Sequence, residues 1–345
     1  MTPVQATTQT WQALPKVLLH EHLDGGLRAQ TLLDLCHERG LAVPAQNPSS
    51  LAAWIQANAN SGSLERYLQG FSLTVAAMAS VGACERVAFE AAEDARLDGC
   101  VLAEFRIAPL LLESFGLSGD AVVAALVRGL TRSVLPCGLI VCAMRMDSPQ
   151  ETMRAAQVAA RYKDLGVIGF DIAGAERGFP PGLHAQAFSI ARDAGLGLTC
   201  HAGEADIGKR VLEAAAVGAT RIGHGVSIMQ NPGTPAQARL VEAALEAGLH
   251  FEVCPTSNVH TGAVMSRAAH PIRAMVEAGL SVSCSTDNRL MSGITLSQEL
   301  RSVHEINGLT RAQIGDMQRA AAHASFMPAA AREVASAAMV QWDHS

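Results

Sequence analysis

From about residue 99 to residue 285 the chain repeats one theme seven times. A short apolar run is followed by a longer stretch of Ala, Leu, Glu and Arg with helical spacing. The runs fall near 100–107, 138–144, 166–172, 196–201, 219–223, 249–254 and 280–285. Several helical stretches close on glycine, at Ala194-Gly195, Val217-Gly218, Ala247-Gly248 and Ala278-Gly279, the residue that best accepts the left-handed turn at a helix end. An earlier run, Val17-Leu18-Leu19-His20-Glu21-His22, makes the eighth. Strands that alternate with helices lie parallel and are joined by right-handed crossovers. Eight such units predict an α/β fold of the closed (β/α)8 barrel type rather than an open doubly wound sheet. No glycine-rich dinucleotide or phosphate loop follows the first run, which further disfavours the open sheet.

The length of 345 residues suits one such barrel with insertions. Length alone also allows two ordinary domains, but no break in composition requires a second. The expected layout is a single unit over 1–345, with the barrel at about 17–300. A helical insertion at about 41–98 follows the first strand, and helices at about 309–340 follow the barrel. Residues 1–16 read as a poorly structured lead-in, and a helix is predicted over about 28–39, stopping at Gly40. Residues 41–62, rich in Pro, Asn, Ser and Ala, interrupt the rhythm before helices at about 63–80 and 83–98. An insertion at this place commonly forms a lid or pocket wall. Trp54, Tyr67, Phe71 and Met78 are candidates for its apolar lining, although the helical spacing of the last three fits plain core packing better. The segment 309–345 reads as helical padding.

Composition excludes several functions. Hydrophobic residues make up 49% and charged residues 17%, which argues against extended disorder. A net charge of -6 gives no electrostatic reason to bind nucleic acid or an anionic membrane. None of the eight cysteines forms a C-x-x-C pair, and several lie in apolar strand-like runs. Together with the absence of a signal-peptide pattern or a bilayer-length apolar stretch, this predicts a reduced, cytoplasmic setting. The oligomeric state is left open.

Active residues of such barrels project from the C-terminal ends of the strands. Here those ends carry His20 and His22, then His201 and Glu204, then His224 between two glycines, then Asp287 and Asn288. Two residues apart on a strand, His20 and His22 point to one face and can share a metal. His201 adds a third nitrogen and Asp287 an oxygen. Three histidines and a carboxylate are an ordinary set for Zn²⁺ with room for a water, whose pKa the metal lowers toward ~7. Taken singly, each residue has a plainer reading: His224 packing between glycines, Asp287 capping the next turn, His201 and Glu204 merely ending a strand. Their common register at one mouth is what predicts a metal site.

These residues also carry a resemblance. The motifs are His20-Glu21-His22-Leu23-Asp24-Gly25, Phe170-Asp171-Ile172-Ala173-Gly174-Ala175-Glu176, His201-Ala202-Gly203-Glu204, Arg221-Ile222-Gly223-His224-Gly225, Cys254-Pro255-Thr256-Ser257-Asn258-Val259 and Ser285-Thr286-Asp287-Asn288. In this order, across about 17–300, the chain resembles the adenosine deaminase family of metal-dependent amidohydrolases. The resemblance implies hydrolytic removal of the 6-amino group of a purine nucleoside, giving inosine and ammonia from adenosine. It implies one Zn²⁺ per chain on His20, His22, His201 and Asp287. It implies Glu204 as the proton donor to purine N1, with His224 orienting the water and Asp287 sharing in that task. Gly174 matches the backbone N–H that meets purine N3, and Asp24 a carboxylate that accepts from a ribose hydroxyl. His22 is expected beside the substrate as well. Asn288 stands where the family pattern carries a second Asp. An amide donates to the acceptor N7 without taking up a proton, so Asn288 is kept as substrate-binding.

The chemistry of adenine agrees with these roles. Its ring is electron-rich, and protonation at N1 makes C6 open to attack, so Glu204 must hold a proton near neutrality. Burial against an apolar wall achieves that. Gly203 is read as keeping the backbone out of the substrate's way. Alternatives stay open. The substrate could be adenine, 6-aminodeoxyfutalosine or an adenosine modified at N6 or at the 5′ position, and Asp24 could cap the helix near Arg28 instead. A binuclear amidohydrolase would need a carboxylated Lys or bridging carboxylate at the fourth strand, which ends without Lys. A non-catalytic purine-binding protein would not need the full set of ligands and acid.

Overall fold

The computed structural model describes residues 11–343. Eight strands form one sheet in sequence order: β1 (Lys16–His22), β2 (Cys100–Ile107), β3 (Cys137–Met144), β4 (Val167–Ala173), β5 (Gly197–Ala202), β6 (Arg221–His224), β7 (His250–Val253) and β8 (Ser281–Cys284). Every neighbouring pair is parallel. The chain comes back to β1 just beyond β8. There the His22 N–H donates to the Asp287 carbonyl at 2.7 Å and the Asp287 N–H to the His20 carbonyl at 2.9 Å. The expected barrel is therefore present, nearly closed, with its seam stitched at the mouth. Its strands are buried along nearly their whole length, as in Cys100–Ile107 and Cys137–Met144. Strands covered on both faces read as continuous apolar runs, which is the pattern that betrayed them.

The insertion after β1 is helical, as its expected layout has it. Within residues 41–62, whose composition interrupts the strand–helix rhythm, lies the helix Pro48–Ala59. The Asn47 side chain accepts from the Ser50 N–H at 2.9 Å and Pro48 occupies the first helical turn. Asn followed by Pro is a helix-start signal that the loop-like composition obscured. The stretch 63–80 is two helices, Leu64–Gln69 and Phe71–Met78, joined at Gly70, and Ser80 caps the helix Val81–Leu97 that follows. Met78 is fully buried in the core and Trp54 is exposed.

The first and last described segments close the floor of the barrel. In the described part of the lead-in Trp11 and Leu14 are buried, and the Lys16 ammonium donates to their carbonyls at 2.8 Å each. Its first ten residues lie outside the described ones. The C-terminal helices Arg311–Ala324 and Ala329–Asp343 do more than pad. The Gln318 side chain accepts from the Val17 N–H at 2.8 Å. The Ser325 hydroxyl and Phe326 N–H both donate to Glu104 at 2.6 Å. The Phe326 ring lies on the bare backbone of Gly197, where a Cβ would come within 2.2 Å of it, and the Arg221 guanidinium stacks 3.8 Å from its centroid. No single helix among the described residues is long and apolar enough to cross a membrane.

Candidate metal centre and substrate cavity

The end of β1 alternates strictly. His20 and His22 face the mouth, and Glu21 between them turns the other way to accept from the Thr286 hydroxyl at 2.9 Å and the Arg289 Nε at 2.6 Å. One short strand thus supplies two imidazoles and holds the loop after β8 that carries Asp287. Asp287 Oδ1 lies 3.3 Å from His20 Nε2 and 3.5 Å from His22 Nε2. The Nε2 atoms of His22 and His201 are 3.2 Å apart. The four residues expected as ligands are therefore together.

What fixes these rings was not foreseen. His20 Nδ1 lies 2.9 Å from Glu252 Oε2, and His201 Nδ1 lies 2.9 Å from Asp171 Oδ2. One guanidinium joins the two carboxylates, because Arg106 reaches Asp171 and Glu252 at 2.7 Å each. Arg221 bonds the other Glu252 oxygen at 2.5 Å and Glu104 at 2.6 Å. All these side chains are buried. A carboxylate on Nδ1 fixes the tautomer and leaves Nε2 as a bare acceptor. His20 Nε2, whose Nδ1 faces Glu252, is a buried atom without a partner 3.3 Å from Asp287 Oδ1, and the ring nitrogens of His22 and His201 close in beside it. Only a cation or added protons satisfies such a set, so the residues fit a divalent metal. The sequence signal existed: Arg106 and Glu252 are charges inside otherwise apolar strand runs. A charge in a strand covered on both faces requires a partner.

Beside this centre lies a cavity of about 390 Å³. Its walls include His22, Asp24, Gly174, His201, Glu204, His224, Asp287 and Asn288, so every expected site residue except His20 reaches it. Tyr67 and Phe71 of the insertion line it as well, while Tyr67 also belongs to the hydrophobic core and Phe71 packs against it, so both readings of these two hold. Burial first, and then the negative charge of Asp287, pushes the Glu204 carboxyl up to about 8. The Thr261 hydroxyl donates to its Oε1 at 2.9 Å, and His224 Nε2 stands 3.6 Å from its Oε2. Burial likewise raises the Asp24 carboxyl to about 7 and leaves its Oδ1 without a partner. Asp24 does not cap the helix Ala29–Glu38, which has no side-chain cap. Burial lowers the pKa of His224, keeping it neutral at the cavity wall.

The turn after β5 is held by a residue to which the sequence assigned no task. The Glu176 carboxylate accepts from the N–H groups of Gly203, Glu204, Ala205 and Asp206 at 2.5, 3.0, 2.7 and 3.0 Å. Four bonds to one buried group fix the backbone that carries Glu204. Gly203 serves this turn and not substrate access. Its φ is +70°, and a Cβ there would meet the Ser227 hydroxyl at 2.7 Å, inside the protein. His224 and Asp287 adopt φ of 64° and 60° without being glycine, two of three such residues described. Backbone strain of that kind persists where the surroundings over-determine it, and it clusters at functional sites.

Comparison with known proteins converges on one family. The family model for adenosine deaminase matches residues 15–340. The adenosine deaminase of Mycobacterium tuberculosis is 41% identical over 338 residues, covering 93% of this chain and 92% of its own. Among solved structures, an amidohydrolase from Burkholderia ambifaria with bound Zn is similar at a TM-score of 0.86 and 24% identity, covering 100% of this chain and 94% of its own. The adenine deaminase of Arthrobacter aurescens is similar at 0.86 and 22%, covering 96% and 100%. At these identities the two structures establish the shared fold.

Proposed function

We propose that this chain, which belongs to the adenosine deaminase family, hydrolyses adenosine to inosine and ammonia with one Zn²⁺ held by His20, His22, His201 and Asp287. The carrying observation is the convergence of three imidazole Nε2 atoms and Asp287 beside a cavity that also holds a carboxyl raised to about 8. Bound there, the metal supplies the Lewis acidity that makes a water nucleophilic at neutral pH.

The chain's own residues do the rest. Glu204 keeps its proton at neutrality and gives it to purine N1, drawing electrons from C6. Thr261 orients that carboxyl. His224 aims at the attacking oxygen, and Asp287 Oδ takes the first proton of the water and passes it to the departing amine. The second proton returns to Glu204 as the C6 carbonyl forms. Of the two water protons, one leaves in ammonia and one replaces the proton now on N1. Gly174 offers its N–H to N3, and glycine is required there because φ is +101° and a Cβ would come within 2.5 Å of Met146 Sδ. Asn288 meets N7, and His22 flanks the nucleoside.

The unpartnered Asp24 oxygen supports a ribose hydroxyl, hence a nucleoside over free adenine or another 6-aminopurine. A binuclear centre is disfavoured, because Asp171 at β4 is already committed to Arg106 and His201 and no Lys lines the cavity. Eight free cysteines support a cytoplasmic setting. Zinc-loaded protein should release ammonia from adenosine faster than from adenine or 5′-modified adenosines, with one metal per chain. Preference for adenine, or two metals per chain, would sink the reading.

A further inference from the structure

The tautomer of His224 can be read from a chain of hydrogen bonds that runs away from the cavity. It starts at a group whose direction is not negotiable: a backbone N–H only donates. The Ile272 N–H meets His270 Nδ1 at 3.1 Å, so that nitrogen is the acceptor. Burial lowers the His270 pKa to about 3, so the ring is neutral and its proton sits on Nε2. That Nε2 lies 3.1 Å from Asn258 Oδ1, which must accept. The amide's other end, Nδ2, is therefore the donor, and it faces His224 Nδ1 at 3.0 Å. Asn258, His224 and His270 are all buried, with relative exposures of 0, 1 and 4%, so water does not offer them substitutes.

We infer that Ile272, His270 and Asn258 together lock His224 as the tautomer that carries its proton on Nε2, pointing into the cavity. His224 is then a hydrogen-bond donor to the attacking oxygen and not its base. A neutral ring with Nδ1 occupied by the Asn258 amide and Nε2 already protonated has no lone pair facing the water. Proton acceptance falls to Asp287, whose Oδ2 is held by the Ser257 hydroxyl at 2.5 Å. Asn258 and His270 are positioning residues, acting only through His224. The inference deepens the deaminase reading and rests on it for the role of the donor, while the tautomer itself stands without it.

The test is long-range ¹H–¹⁵N correlation on histidine-labelled zinc enzyme, read beside turnover of adenosine. The expected His224 pattern is a bare Nδ1 and a protonated Nε2. Asn258→Asp presents an acceptor to Nδ1, so the pattern should reverse and kcat should fall by about 10²-fold, the usual loss for one aimed donor. His270→Gln, whose amide still donates, should keep the wild-type pattern, whereas His270→Ala should mix the two tautomers. His270→Ala also serves if Asn258→Asp does not fold. A wild-type His224 protonated on Nδ1 overturns the inference, as does a reversed tautomer with unchanged kcat. Wild-type enzyme with the expected pattern but no action on adenosine would defeat the functional reading alone.

Discussion

The backbone N–H of His22 donates to the Asp287 carbonyl at 2.7 Å, so the barrel is closed between two proposed metal ligands. A metal held by both residues would therefore span the seam of the fold and stabilise it. Chelation should lower the melting temperature. A ligand at a thousand times its Kd stabilises by about 4 kcal/mol, which in a chain of this size is a shift on the order of 5 °C. Scanning calorimetry with and without a strong chelator measures it, and an unchanged Tm would contradict the coupling.

Arg106 ties the carboxylates behind His20 and His201. Replacing it with Gln should weaken zinc binding by about 10- to 100-fold, because both rings lose their fixed orientation. Competition against a fluorescent chelator gives the affinity directly. Glu252→Gln, which alters the direct partner of His20 and leaves Asp171 bonded to Arg106, should show a smaller loss than Arg106→Gln.

Glu204 works as a donor only while protonated. Its pKa is raised to about 8, so kcat/KM should be level through neutrality and fall about tenfold per pH unit above ~8. The sign for stability is the same. A carboxyl raised in the fold favours the folded state below its ordinary 4.5, and that contribution fades as pH rises through about 8. Glu204→Gln should keep zinc and lose about 10²- to 10⁴-fold in kcat. A Glu204→Gln variant turning over near the normal rate would end the proposed chemistry.

In the proposed contact the Asn288 amide would donate to N7 at any pH, whereas Asp would donate only when protonated. Asn288→Asp should therefore raise KM for adenosine increasingly from about pH 5 to about 8, against a flat profile for the native enzyme. Equal KM profiles would remove Asn288 from N7. Gly25 guards the same contact, since a Cβ there would come within 1.8 Å of Asn288 Oδ1.

Much of this was legible in the residues themselves, for a physical reason. Strands covered on both faces must be apolar throughout, so their ends stand out wherever a polar residue is tolerated. His20, His22, His201, His224 and Asp287 are such ends. The helix Pro48–Ala59 was obscured because Asn, Pro and Ser serve both loops and helix starts, and only the Asn47 cap separates them. Tyr67 and Phe71 have the spacing of core residues, and nothing local distinguishes a core from a cavity wall.

The sequence by itself determined the eight-unit barrel and placed the candidate ligands and Glu204 at one mouth, since these follow from local pattern and strand register. Tertiary structure alone decided what surrounds them. Arg106, Asp171 and Glu252 meet from three strands and 146 residues of chain, and the hydrogen bonds that orient His224 come from Asn258 and His270. Orientation, tautomer and a pKa of about 8 depend on which distant groups close around a side chain and how much water they exclude. Those are properties of the packed interior, and no window of sequence contains them.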